Sequence, residues 1–265
     1  MSIDPEKGNK IKAAVRRNFD SSPVQYDEFE ARHGFFKNLN STLLKLLNTQ
    51  NAKAILDIGC GTGASSAQMM EACPEALVFG VDNSSTMLEK ARQNYGSTQR
   101  ISFIEGDAAA LTSCLDQHFD TIIYSASIFL IPDFRESLLQ AYELLKPSGQ
   151  IGLTFMDGVY SDSGENLFFQ IEQQFGLGLS LKKPVALPDL EACLRSLFHS
   201  VSLQVAQFRL PKQQVKEFFS IPAMSAGLFP SVDYPNRLLK ISALLNHIPE
   251  DELNFRWVMI VGSKS

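Results

Sequence analysis

The sequence has few of the residues that build a zinc site or a disulfide framework. Its 4 cysteines, Cys60, Cys73, Cys114 and Cys193, are scattered, without a C-x-x-C pair and without a histidine at ligand spacing. Structural zinc sites and disulfide-dense domains place their cysteines at close, regular spacings. The cysteines therefore predict no metal site and no disulfide framework, and we expect Cys60 to be a small packing residue.

Long apolar runs and clusters of basic residues are also lacking. No uninterrupted apolar run reaches the roughly 20 residues that span a bilayer, and MSIDPEKGNK at the start lacks the apolar segment of a signal peptide. Lys and Arg total 24 against 29 Asp and Glu, and the densest basic groups are Arg16-Arg17 and Lys182-Lys183. Because binding to a phosphate backbone requires clustered cations, we expect no nucleic-acid partner, no membrane insertion and a cytoplasmic location.

An alternating-glycine turn directly after an apolar strand is the strongest pattern in the sequence. The stretch 54–66, AILDIGCGTGASS, has an acid at Asp57 and then Gly59, Gly61 and Gly63. Such glycines permit positive φ and remove the Cβ atoms that would hold a ligand away from the main chain. A dinucleotide fingerprint reads G-x-G-x-x-G and binds a pyrophosphate. The acid here would repel a pyrophosphate, but it suits a ligand that has an ammonium group.

The segment LDIGCGTG resembles the first motif of the class I S-adenosylmethionine (AdoMet) dependent methyltransferases. In that family the glycines face the methionine and ribose parts of the cofactor, and the strand-end acid lies near its amino group, often through water. The resemblance implies that AdoMet is the cofactor. It also implies that Asp57, Gly59, Cys60 and Gly61 contribute to the cofactor site.

Two more acids follow at the ends of predicted strands. The apolar run LVFGVD ends in Asp82, about 20 residues after the glycine turn, where an acid can accept both hydroxyls of a ribose. The run ISFIEGD ends in Asp107, which the resemblance places beside the adenine amino group, with Ala108 near a ring nitrogen. Asn83 stands where many relatives have an apolar residue against adenine, so Met87 is the candidate for that contact. All three acids are expected to point into the crevice at the carboxyl edge of the sheet.

The fourth predicted strand and its loop, residues 119–133, read FDTIIYSASIFLIPD. In the family that this segment resembles, the end of this strand faces both the methyl group and the acceptor. That resemblance places Ser125 at the cofactor and Phe129 at the acceptor, in a position where relatives often have a histidine. Because the loop has no histidine, we identify no general base, and the catalytic residues stay unknown.

The N-terminal segment RRNFDSSPVQYDEF is similar to that of the quinone-biosynthesis methyltransferases and of the malonyl-carrier-protein methyltransferases of biotin synthesis. In those families a segment with spaced aromatic residues folds over the cofactor as a lid. The resemblance makes Tyr26 the aromatic residue expected to touch cofactor or substrate. The turn-rich stretch around it is expected to connect two flanking helices.

The predicted fold class is α/β, a doubly wound and mostly parallel seven-stranded sheet of the class I methyltransferase, Rossmann-like type. Met224 belongs to an apolar late segment that is expected to enclose the substrate. A K-P-S-G turn, with Gly149 in the left-handed conformation, should precede the fifth strand. The chain is predicted to consist of a helical lid (1–50), an AdoMet-binding core (51–156) and a region that completes the sheet (157–265). Within the last region, cap insertions are predicted at 157–186 and 211–252. The predicted late strands are Gln150–Met156, Val201–Phe208 and Asn254–Gly262.

The resemblance implies an AdoMet-dependent methyltransferase that acts on a small, partly hydrophobic acceptor, as a monomer or homodimer. Three alternatives stay open. The acceptor could be a malonyl carboxylate on a carrier protein, the chain could be an inactive AdoMet-binding module that serves a partner protein, or it could be a nucleotide-dependent oxidoreductase. The sheet alone does not separate these functions.

Overall fold

A computed structural model describes residues 5–181 and 183–265, and within these ranges seven strands form one sheet. The strand order is β3-β2-β1-β4-β5-β7-β6, and only β7 runs antiparallel to its neighbours. The predicted α/β fold class is therefore confirmed. The order reverses between β1 and β4, which leaves a crevice at their carboxyl ends. The strands are β1 (Ala54–Ile58), β2 (Leu77–Asp82), β3 (Ile101–Glu105), β4 (Phe119–Tyr124), β5 (Leu145–Tyr160), β6 (Ser200–Pro211) and β7 (Glu252–Ser263).

Helices cover both faces of the sheet, so its central strands are largely apolar. In β1, for example, Ile55, Leu56 and Ile58 are fully buried. The helices are α1 (Pro5–Asp20), α2 (Pro23–His33), α3 (Phe35–Leu44), α4 (Ala64–Ala72), α5 (Ser85–Tyr95), α6 (Phe134–Leu144), α7 (Leu167–Phe175), α8 (Leu187–Leu197), α9 (Lys212–Ser220), α10 (Pro222–Leu228) and α11 (Tyr234–Asn246).

The segment around Tyr26, which we expected to be a turn-rich connection between two helices, forms the helix α2. Pro23 lies in its first turn, where a missing N–H costs no intrahelical hydrogen bond. Gly34 ends it with φ of 57°, and the carboxylate of Glu30 accepts the N–H groups of Phe36 and Lys37 at the start of α3. Local capping therefore makes two short helices from a segment whose composition favours turns. The division of the chain at residue 50 stays a prediction.

The K-P-S-G turn differs from expectation in its left-handed residue. Ser148 has φ of 62°, whereas Gly149 does not have a positive φ. Gly149 is instead required for close packing, because a Cβ there would lie 2.8 Å from Cγ of Leu145. The strands β5, β6 and β7 are also longer than predicted. They pair with one another along nearly their whole lengths.

The cap helices α9 and α10 pack against the N-terminal helices. Phe218 of α9 contacts Phe29 of α2, with ring centroids 5.7 Å apart. The hydroxyl of Ser22 accepts the N–H of Ala223 at 2.9 Å. Segments from opposite ends of the chain therefore form one roof over the carboxyl edge of the sheet.

Candidate functional site

A cavity with an empty volume of about 990 Å³ lies at the carboxyl ends of β1, β2 and β4, under the N-terminal helices. We call it the glycine-turn cavity. It contains all the residues predicted to bind the cofactor except Asp57. Its lining is Lys12, Val15, Phe19, Tyr26, Phe36, Gly59, Cys60, Gly61, Thr62, Ala64, Ser65, Val81, Asp82, Asn83, Met87, Gly106, Asp107, Ala108, Ser125, Ala126, Ser127, Leu130, Ile131 and Pro132.

The glycine turn is held against β2 by its own backbone. The N–H groups of Gly59 and Cys60 both donate to the carbonyl of Val81, at 2.7 and 3.1 Å. A Cβ at Gly59 would overlap the side chain of Ser127, so this glycine serves packing. A Cβ at Gly61 would meet no atom within 4 Å, so the second glycine leaves its backbone open to the cavity.

Asp82 closes the turn from the end of β2. Its Oδ2 accepts the N–H of Gly61 and its Oδ1 accepts the N–H of Ser84, each at 2.9 Å. Ser84, not Asp82, caps α5 through its hydroxyl. Burial raises the pKa of Asp82. Because a carboxylate oxygen has two lone pairs, both oxygens keep acceptor capacity toward the cavity.

The expectation that Asp57 points into the crevice is wrong. Its side chain is fully buried beneath the turn, where Oδ2 accepts the hydroxyls of Ser65 and Ser66 at 2.5 and 2.7 Å. Its Oδ1 has no hydrogen-bond partner among the described residues. Burial raises the pKa of Asp57 to about 6, although the two serine hydroxyls oppose that shift. Of Asp57, Ser65 and Ser66, only Ser65 lines the glycine-turn cavity.

Asp107 faces the cavity, as expected, and is already paired. Its Oδ2 accepts from Nζ of Lys12 at 2.7 Å, and its Oδ1 accepts the N–H of Ala109 at 2.9 Å. Lys12 also lies 3.0 Å from the carboxylate of Asp133. The ammonium group of Lys12 therefore connects the N-terminal helix α1 to Asp107 and Asp133 at the cavity.

The wall after β4 has an unusual backbone. Ala126 has φ of 55°, which is costly for a residue with a Cβ. Its N–H donates to the hydroxyl of Thr154 at 2.7 Å, and the hydroxyl of Ser127 donates to the carbonyl of Ile58 at 2.6 Å. These bonds fix the loop so that Ser125 and Ala126 line the cavity.

Helix α1 contributes cavity residues that the motifs did not identify. Lys12, Val15 and Phe19 line the cavity together, and their spacing of three and then four residues places them on one helix face. That spacing was the available signal. Tyr26 also lines the cavity, as expected, and stacks on Phe36 with ring centroids 4.5 Å apart.

Cys60 is not a nucleophile in this environment. It is 4% exposed, and burial raises the pKa of its thiol well above the ordinary value, with Asp82 and Asp57 adding to the shift. The thiolate is the reactive form of cysteine. The structure therefore agrees with a packing role.

Phe129 and Met224, which were expected at the substrate, line a second cavity that we call the cap cavity. Its empty volume is about 1080 Å³, and it shares Leu130 with the glycine-turn cavity. Tyr26, the third predicted substrate residue, is absent from its lining. The lining is Phe129, Leu130, Met156, Asp157, Gly158, Val159, Asn166, Phe168, Phe169, Ser180, Leu181, Lys183, Pro184, Phe219, Ala223, Met224, Gly227 and Leu228.

Residues 55–149 match the family model of a methyltransferase domain. The chain is 28% identical over 174 residues to a malonyl-[acyl-carrier protein] O-methyltransferase of Halalkalibacterium halodurans, a match covering 63% of this chain and 60% of that relative. It is 26% identical over 223 residues to the protein of the same name from Priestia megaterium, which covers 81% of this chain and 78% of the relative. These matches confirm the predicted resemblance to the class I methyltransferases.

Solved structures share the fold. A phosphoethanolamine N-methyltransferase 2 of Haemonchus contortus, in complex with phosphomonomethylethanolamine and S-adenosylhomocysteine, superposes with a TM-score of 0.54 at 21% identity. The alignment covers 86% of this chain and 52% of that protein. In residues 5–181 and 183–265, no helix is both long and apolar enough to cross a bilayer.

Proposed function

We propose that this protein is an AdoMet-dependent methyltransferase that acts on a small, partly hydrophobic acceptor. The observation that carries the proposal is the glycine-turn cavity, in which an open glycine backbone lies beside the partly unused carboxylate of Asp82. The methyltransferase-domain match over 55–149 supports it, as do relatives that are named methyltransferases.

The residues present fit AdoMet. Asp82 would accept the ribose hydroxyls, and the open backbone at Gly61 would allow close approach of the cofactor. Met87 is fully buried and offers an apolar contact for adenine. The buried negative charge of Asp57 would favour the ammonium group, which could donate to the hydroxyl oxygen of Ser65 while that hydroxyl donates to Oδ2 of Asp57.

When bound, AdoMet supplies a methyl group on a positively charged sulfur, and an acceptor atom takes the methyl as the sulfur–carbon bond breaks. This chain would then contribute mainly alignment and exclusion of water, which lower the barrier of a two-substrate reaction substantially. The glycine-turn cavity has no histidine among its described lining residues. Tyr26 of α2 and Phe36 of α3 stack on each other and line this cavity.

Binding of AdoMet and S-adenosylhomocysteine by calorimetry is the first test, with NADH as the ligand expected not to bind. We expect Asp82→Ala to weaken AdoMet binding at least tenfold, about 1.4 kcal/mol, because two charge-assisted hydrogen bonds are lost. Asp120→Ala is the matched control. Asp120 also accepts two backbone N–H groups, those of Lys53 and Ala54, but at the opposite edge of the sheet. Unchanged AdoMet affinity in Asp82→Ala would contradict the ribose assignment.

Methyl transfer itself is tested by mass spectrometry of a metabolite extract incubated with the protein and isotopically labelled AdoMet. A new labelled small molecule would identify the acceptor. Binding of AdoMet without a labelled product would favour the inactive AdoMet-binding module. Labelling of a malonyl carrier protein would establish the second candidate function, which is supported by the names of the two relatives.

A further inference from the structure

The cap cavity is the neighbour of the glycine-turn cavity on the side of the loop after β4. The two cavities share Leu130, in the loop after β4. The cap cavity continues from there to the end of β5 and to the helices α7, α9 and α10. Most of its side chains are apolar, including Phe168, Phe219 and Met224. The cap cavity is therefore an apolar space beside the glycine-turn cavity, with Leu130 in the wall of both.

Lys183 is the cationic side chain in the described lining of the cap cavity. Nζ of Lys183 donates to the carbonyl of Asp157 at 2.9 Å and to the carbonyl of Met156. It also lies 4.9 Å from the ring centroid of Phe155. An ammonium group has three N–H donors, so two are bound to neutral carbonyls and one is left for the cavity.

Asp157 also lines the cap cavity, and its carboxylate is already paired with a different cation, Arg256. Asp157 accepts from Nε of Arg256 at 2.7 Å and from the hydroxyl of Tyr160 at 3.0 Å. Among the described residues, no carboxylate lies within 4.0 Å of Lys183, which is itself only partly exposed. Asp157 and Lys183 are the charged residues of the described lining. The cap cavity therefore presents a positive charge that the protein leaves without an ion-pair partner.

We propose that the acceptor is a carboxylic acid with an apolar body, bound in the cap cavity with its carboxylate on Nζ of Lys183. This proposal rests on the proposed methyltransferase function and names its substrate class. A charged hydrogen bond at a partly buried site is stronger than a neutral one, and the apolar wall favours the rest of the molecule. A carboxylate matches the single available N–H better than a phosphate dianion, which needs more donors to offset its charge.

The titration of the lysine agrees with this geometry. Burial lowers the pKa of Lys183 to about 8, and the negative charge of Asp157 opposes that shift only in part. A buried ammonium group without an anion is destabilised in this way. A bound carboxylate would supply the missing charge.

The test uses octanoate and 3-phenylpropionate as probes, each compared with its primary amide, on protein saturated with S-adenosylhomocysteine. We expect at least one acid to bind the wild type at least tenfold more tightly than its amide, measured by calorimetry at pH 7. Lys183→Met should remove this preference, whereas Lys183→Arg should keep most of it. Lys240→Met is the matched control, because Lys240 donates to the carbonyl of Leu177 and does not line the cap cavity.

The outcomes separate a binding role from a structural one. If Lys183 only fixes the end of β5 through the two carbonyls, Lys183→Met will weaken the acid and the amide equally, and the proposal fails. It also fails if neither acid binds the wild type better than its amide. S-adenosylhomocysteine should bind Lys183→Met as it binds the wild type, because Lys183 does not line the glycine-turn cavity. If S-adenosylhomocysteine does not bind the wild type at all, that result contradicts the proposed function itself.

Discussion

Replacing Asp57 with asparagine should stabilise the protein at neutral pH. The carboxylate is fully buried, and its Oδ1 has no hydrogen-bond partner among the described residues. Asparagine has nearly the same shape and can still accept the hydroxyls of Ser65 and Ser66 through its side-chain oxygen. The substitution therefore removes a buried charge while keeping its two hydrogen bonds.

The magnitude follows from the pKa of Asp57, which burial raises from 3.8 to about 6. Between these two values the folded state binds more protons than the unfolded state, so stability falls as pH rises. The full penalty is about 3 kcal/mol, and it is reached above pH 6. About 1 kcal/mol of it should appear between pH 5 and pH 7. Below about pH 3 the penalty disappears because both states are protonated.

Urea unfolding of wild type and Asp57→Asn at several pH values between 4.5 and 7.5 measures this effect. The free-energy difference should favour the variant and should grow with pH until it levels off above pH 6. A difference that stays constant across this range would refute the assignment of the penalty to Asp57. Calorimetry adds a second readout. AdoMet binding to the wild type near pH 6 should release up to about half a proton from Asp57, because this carboxyl is half protonated there and a nearby ammonium group favours the carboxylate. Asp57→Asn should not release this fraction.

Two further predictions concern the walls of the two cavities. Gly59→Ala should destabilise the protein by at least about 2 kcal/mol in urea unfolding, because φ at this position is 74° and the new Cβ would overlap Ser127; an unchanged midpoint would mean that the turn can shift freely. Binding of the acid probes should weaken as pH rises through about 8, because Lys183 loses its proton; acid affinity that is constant from pH 7 to pH 9.5 would contradict this.

The lining of the glycine-turn cavity could largely be predicted from the sequence because its parts are local. A strand end, a glycine turn and the next strand end are each short patterns, and parallel strands place Asp82 and Asp107 at the same edge. The direction of Asp57 could not be predicted, since the serines that attract its carboxylate lie on the following helix. The role of Lys12 was missed for a related reason: a cation on α1 reaches the site only because that helix folds back over it.

The acceptor side resists prediction because no single stretch of the sequence contains it. The cap cavity combines the loop after β4, the end of β5, the segment around Lys183 and the helices α9 and α10. Phe129 and Met224 were both predicted at the substrate, and both line the cap cavity, yet nothing in their spacing relates them to a lysine between α7 and α8. The proposed cofactor contacts, through glycine backbone and strand-end acids, suit one unchanging ligand, whereas side chains from inserted segments can change the proposed acceptor without disturbing that half of the site. This division explains why sequence motifs indicate a methyl donor, while the acceptor proposed above is inferred from the charge of Lys183 in an apolar wall.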